Sequence, residues 1–226
     1  KRKNVIHNGR WHAVDIAHGS ALFDDSFKLK DNVCDWGACL VKPPMKGTPV
    51  FEFFSQLALD KVVAHQGHAI PFDTKAPFYA LLEFEIKDRE VLELAMSLFE
   101  HCAEQGWVLD GVVSQSLSQA SALWKLREDI SETLWEFQPY KNDISVRVSR
   151  MPGFLGEVNE LVEQRYPDFE IVWYGHIGDG NLHLNILKPE DLSSDDFVTQ
   201  CTAVSNEIGQ LLAKYEGSVS AEHGVG

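Results

Sequence analysis

The rhythm of apolar and polar positions changes at Val50. Residues 1–50 mix polarity with scattered Gly and Pro (KPPMKG at 42–47) and sustain neither a strand period nor a helical one. They read as a poorly defined N-terminal region, the tail of another domain. Beyond Val50 the elements follow in clear order. FEFFSQLALDKVV (51–63) predicts a helix, and FYALLEFEI (78–86) alternates as a strand. Asp88 is placed to cap a helix whose stripe is Val91, Leu94, Ala95, Leu98, Phe99 and Cys102, closed by Gly106. WVLDGVV (107–113) predicts a strand, 116–137 one long helix, and ISVRVS (144–149) another strand. MPGFLGEVNELVEQRYP is a helix ended by Pro167.

FEIVWYGH and NLHLNIL then form two strands around the turn IGDG. A last helix runs from the Ser/Asp cluster near 191 to Gly217, and SVSAEHG begins a final strand. This alternation predicts an α+β fold, ferredoxin-like in style, with a largely antiparallel sheet covered by helices. The expected division is 1–50, the poorly defined region, and 51–226, one domain cut short at its C-terminus.

Charge narrows the function. A net charge of −14 over 226 residues argues against a nucleic-acid partner, which needs a basic face. It also means that an anionic ligand would have to be captured by local cations against the field of the whole molecule. No apolar run reaches the length of a membrane span, and KRKNVIHNGRWH is not followed by the apolar core of a secretory signal. Cys34 and Cys39 lie five apart and Cys102 and Cys201 fall in apolar helical patterns. Reduced, buried thiols in a cytoplasmic setting are the reading favoured over a metal site.

The richest stretch for chemistry is GHIGDGNLHLN. Glycines in IGDG accept positive φ, and the Asp can hydrogen-bond the turn backbone. With a loop over 177–182, His176 and His183 would be a directly opposed cross-strand pair, about 5 Å apart at Cβ, a spacing that suits two imidazoles on one ion. Two hydrogen-bonded histidines at a sheet rim are the alternative. Glu222 is the candidate third ligand if a strand over 217–221 pairs beside 181–187, since two His and a carboxylate leave open positions for catalysis. His223, next to it, is either a general base or a surface histidine in a loop.

Trp124, Arg127 and Ser131 recur at helical spacing and would share one face. An Arg between apolar neighbours is either paired structurally or used to clamp a carboxylate. Lys141, read as lying in a loop before the strand at 144, could add a second cation. GHIGDG has the wrong glycine spacing for a dinucleotide loop, and no Ser or Cys sits in a nucleophile elbow.

Taken together, GHIGDGNLHLN, SVSAEHGVG and LWKLRED…YKNDISV resemble the C-terminal substrate domain of FAD-linked 2-hydroxyacid dehydrogenases. That group holds the D-lactate, D-2-hydroxyglutarate and glycolate enzymes of the vanillyl-alcohol-oxidase-type flavoproteins. The resemblance covers about 50–226 and implies an oxidoreductase in which His176, His183 and Glu222 bind a divalent metal, zinc, and His223 is the catalytic base. It implies that Arg127 and Lys141 bind the substrate carboxylate. Asn181 lies in the metal-site turn and counts among the substrate contacts. Ser131 falls where the 2-hydroxyglutarate enzymes tend to have Thr.

The implied partners are a small 2-hydroxy acid and, after FAD, a further electron acceptor of open identity. A homodimer and peripheral attachment to the inner membrane stay open. The flavin itself is expected to be held mainly by a domain absent from these residues, of which 1–50 would be a remnant, so the chain alone is expected to be inactive. A non-catalytic metal- or ligand-binding module of the same fold and a metal-dependent hydrolase are the competing readings.

Overall fold

The computed structural model describes residues 3–5, 11–17, 50–84 and 89–219, with side chains described over 50–83 and 92–219. Its strands are β1 (Lys3–Val5), β2 (Trp11–Ala17), β3 (Val50–Ser55), β4 (Phe78–Phe84), β5 (Val108–Val113), β6 (Tyr140–Ser145), β7 (Glu170–His176), β8 (Asn181–Leu187) and β9 (Ser218–Val219). The helices are α1 (Gln56–Gln66), α2 (Arg89–Glu104), α3 (Leu117–Glu128), α4 (Ile130–Leu134), α5 (Met151–Arg165) and α6 (Ser194–Lys214). One sheet runs in the order β1-β5-β2-β4-β3-β7-β8-β6-β9. Its pairings are antiparallel except where β2 lies parallel to β4 and β5. This is the expected α+β sheet covered by helices, extended by two strands, β1 and β2, that residue pattern did not predict.

Side chains alternate across the sheet and give it two dissimilar faces. Phe53, Trp173, Ile144, Leu182, Leu184 and Ile186 pack against α5 and α6 through Phe154, Val158, Phe197, Cys201 and Val204. Phe54, Tyr79, Leu81, Val172, Tyr174 and Leu187 face α1, α3 and α4 through Leu59, Val62, Leu126, Ile130 and Leu134.

Three predicted elements are corrected. Residues 51–63 are not one helix: Val50–Ser55 is a strand, and the helix starts at Gln56. Phe53 and Phe54 are buried on opposite faces, so the strand shows no alternation to read. Ser55 is the overlooked stop signal, its hydroxyl accepting from the Ala58 amide as an N-cap. The helix expected over 116–137 breaks at Asp129, whose carboxylate is held 2.6 Å from His68 Nε2 while its backbone closes α3. A short α4 and a 3-10 turn (Trp135–Phe137) follow.

The strand expected at 144–149 is shifted to Tyr140–Ser145. Its face carrying Lys141, Asp143 and Ser145 is polar throughout, which hid it from an apolar pattern. Lys141 therefore sits in a strand rather than a loop.

Candidate functional site

The β7–β8 turn is tighter than expected, and that fixes the register of everything around it. The loop is only 177–180, with Asp179 N bonded to the His176 carbonyl at 3.3 Å and the Asp179 side chain accepting from Asn181 N at 3.2 Å. Gly180 has φ +85°, and a side chain there would run into the Val146 carbonyl. Tyr174, not His176, is thus the partner of His183. His176 and His183 are diagonal neighbours on one face rather than a directly opposed pair. Their rings still meet edge to face, with centroids 5.5 Å apart and planes at 83°.

That shared face continues onto the flanking strands. Glu52 of β3 lies opposite His176, while Ser145, Asp143 and Lys141 of β6 lie opposite Asn181, His183 and Asn185. Arg127 reaches the same face from α3. Its Nε and Nη2 both contact Glu52 Oε2, at 2.9 and 2.7 Å, and its guanidinium stacks 4.7 Å from the Tyr174 ring. The other oxygen of Glu52 lies 2.6 Å from His176 Nδ1. Arg127 and Glu52 are both buried, so each charge is tolerable only because the other is present.

On the far side of the pair, Tyr174 packs against the His183 ring at 4.9 Å. His183 Nδ1 is 3.1 Å from Asp143 Oδ1, close in distance but out of line for a hydrogen bond. Among the described residues, both Asp143 oxygens and the side-chain carbonyls of Asn181 and Asn185 are buried and meet no hydrogen-bond donor. A folded protein rarely leaves four acceptors orphaned on one face. Such a cluster is matched by something that brings donors or positive charge.

The remaining predicted residues are less tightly gathered. Lys141 is exposed, its Nζ 4.9 Å above the ring of Trp135, itself 69% exposed. Ser131 is half-buried on α4, past the break at Asp129, so it does not continue the Arg127 helix. Trp124, partly buried against the core, donates from its indole to Glu83 at 2.5 Å. Glu222 and His223 lie outside the described residues. The strand leading toward them, β9, pairs with β6 and not with β8, through Ile144–Val219 and Ser145–Ser218. Cys34 and Cys39 lie outside the described residues too.

Glu52, Asp143, Tyr174 and Asn185 were missed as site residues. The signal was available: Asn185 and His183 share strand parity, and Glu52 is a lone charge inside the apolar run VFEFF.

A carboxylate on the Nδ1 of an imidazole is the usual support for a metal-bound histidine, turning Nε2 toward the ion. The donor set here fits a divalent cation in chemistry. Among the described residues, however, no group of three or more His, Cys, Asp or Glu is arranged to hold one.

The family model for FAD linked oxidases, C-terminal domain, matches residues 42–226. This chain belongs to that family. Within it, the chain is 58% identical over 176 residues to a D-2-hydroxyglutarate dehydrogenase of Stutzerimonas stutzeri (strain A1501), covering 78% of this chain and 38% of the relative. A D-2-hydroxyglutarate dehydrogenase of Xanthomonas citri pv. viticola is 53% identical, covering 78% and 37%. The mitochondrial D-2-hydroxyglutarate dehydrogenase of Arabidopsis thaliana is 37% identical over 184 residues, covering 78% and 31%. The chain therefore spans between about a third and two fifths of the curated FAD-linked oxidase relatives it matches. No helix among the described residues is long and apolar enough to cross a membrane.

Proposed function

We propose that this chain is the substrate- and metal-binding domain, over 51–226, of an FAD-dependent D-2-hydroxyacid dehydrogenase that oxidises D-2-hydroxyglutarate, or a related 2-hydroxy acid, to the 2-oxo acid. The observation that carries the reading is the convergence of His176, His183 and Arg127 on one polar sheet face lined with unsatisfied acceptors. The relatives' names support the reaction class and favour the dicarboxylate.

His176 and His183 would hold the cation, with Glu222 as the carboxylate that completes the set. When bound, a divalent metal such as zinc polarises the substrate α-hydroxyl and FAD accepts the two electrons and hydrogen from Cα. The chain's own residues supply orientation and proton transfer. Arg127 turns Nε–H and one Nη2–H to Glu52, which leaves two hydrogens on Nη1 and one on Nη2 for a substrate carboxylate. Lys141 provides the second cation, suited to a dicarboxylate and able to capture an anion despite the acidic chain. Asn181, Asn185 and Ser131 are proposed to contact the substrate, and His223 to take the hydroxyl proton as general base.

The test uses the full-length protein that carries this chain. Anaerobic addition of D-2-hydroxyglutarate should bleach the bound flavin, at lower concentration than D-lactate does. Lys141→Ala should raise KM for D-2-hydroxyglutarate by about 10- to 100-fold, the worth of one charge-assisted contact. Flavin that stays oxidised with both acids would remove the reading.

A further inference from the structure

The side chain that holds this site together is not a proposed ligand or substrate contact. Glu52 sits in the middle of the sheet, buried, and each of its two oxygens is committed to a different functional group. Oε2 accepts from Arg127 Nε at 2.9 Å and meets Nη2 at 2.7 Å. Oε1 lies 2.6 Å from His176 Nδ1. Its backbone adds to the fixing, because Glu52 is the direct register partner of His176 on the neighbouring strand.

We propose that Glu52 is a positioning residue that sets the tautomer of His176 and the orientation of Arg127 at once. The inference rests on the reading of His176 as a metal ligand. A carboxylate beside a guanidinium can only accept, so Nδ1 must carry the proton and Nε2 keeps its lone pair for coordination. The same carboxylate anchors one edge of the guanidinium against the Tyr174 ring. The imidazole and the guanidinium are therefore aligned by one group, and neither can rotate without breaking a contact to it.

Glu52→Gln makes a specific demand. If the Gln carbonyl accepts from Arg127, its amide must donate toward His176, which reverses that hydrogen bond. His176 then places its proton on Nε2, the wrong nitrogen for a ligand. In this chain without metal, at alkaline pH where imidazoles are neutral, nitrogen NMR of the ring should report the Nδ1–H tautomer in the wild type and Nε2–H in Glu52→Gln. Asp143→Asn should leave the His176 tautomer unchanged. Titration with Zn²⁺ should then give about 10- to 100-fold weaker binding for Glu52→Gln, the usual loss when a supporting carboxylate is removed.

Glu52→Gln strands a buried guanidinium and can unfold the chain. Glu52→Met combined with Arg127→Met removes both charges and leaves Nδ1 without its acceptor, so the ring must lose its Nδ1–H form in it as well. An unchanged tautomer in a folded variant overturns the proposal. A switched tautomer supports it, and wild-type chain that takes up no Zn²⁺ then discards the metal reading of the site while the role of Glu52 on the ring stands.

Discussion

The two faces of strands β7 and β8 share a backbone and differ in almost everything else. Toward α5 and α6 the hairpin presents Trp173, Leu182, Leu184 and Ile186, each at most 1% exposed. Toward α3 it presents Tyr174, His176, Asn181, His183 and Asn185. His176 is held by Glu52, Tyr174 and His183 meet ring to ring, and the side-chain carbonyls of Asn181 and Asn185 meet no donor among the described residues. Burial thus has opposite consequences on the two faces. The apolar face gains free energy from every atom it removes from water, whereas the polar face has given up hydration that its own hydrogen bonds do not replace. The first face builds the fold, and the second holds a debt that a ligand can settle.

The largest effect expected from this contrast belongs to the apolar face. Trp173→Ala removes a fully buried ring and the bond from its Nε1 to Asn159, at 2.8 Å. It should cost about 3–5 kcal/mol in urea unfolding. A loss below about 1 kcal/mol would mean that the α5–α6 side is not the principal core.

The same asymmetry explains what could be read in the residues alone. Helices α5 and α6 were legible because each has an apolar face pressed on one core, which leaves a clean period. Strands β7 and β8 feed two cores, and were legible because the glycine-rich turn IGDG marks where one ends and the other begins. Strand β3 was not, since Phe53 and Phe54 enter two different cores. Strand β6 was displaced because its site-facing residues, Lys141, Asp143 and Ser145, are polar. The histidines of the hairpin were found, but their pairing was off by two residues, set by a turn two residues shorter than assumed. Glu52 stood out as a lone charge in VFEFF, but its role was not legible, because its partner Arg127 is 75 residues away in sequence and only the folded sheet brings them together.

Asn185→Ala sharpens the comparison on the polar face. Asn185 is 1% exposed; among the described residues its carbonyl meets no donor and its amide makes a long 3.4 Å bond to the His183 carbonyl. Removing an orphaned acceptor offsets much of the lost packing, so the change in unfolding free energy should stay within about 1 kcal/mol. Matched measurements against Trp173→Ala would decide the point: equal costs would make this face ordinary core and undo the idea that it is held in reserve for a ligand.

The smallest effect lies at the rim of the apolar side and is visible only as a pH dependence. Tyr215 stacks edge to face on Phe154, at 5.5 Å, and its hydroxyl donates to Glu157 at 2.7 Å. Burial, and then the Glu157 carboxylate, push the phenol up to about 12. Hydrogen bonds from Lys214 and Tyr215 hold the Glu157 carboxyl below its usual range. The two shifts act in opposite directions along the pH axis. The folded state keeps the phenol protonated past its ordinary value near 10. The Tyr215 contribution is therefore complete below about pH 10 and is lost as pH climbs toward about 12. The Glu157 contribution is present above the ordinary carboxylate value and fades as pH falls through the depressed one. Tyr215→Phe keeps the ring on Phe154 and deletes the ionisable hydroxyl. Its unfolding free energy should fall less steeply than that of the wild type between pH 10 and 12, by under about 1 kcal/mol because the contact is solvent-screened. Some slope should persist in the variant, since burial also pushes the Cys201 thiol up to about 12. Parallel curves for the two proteins would show that the rim of the apolar side carries no titrating contact, and that its stability is packing alone.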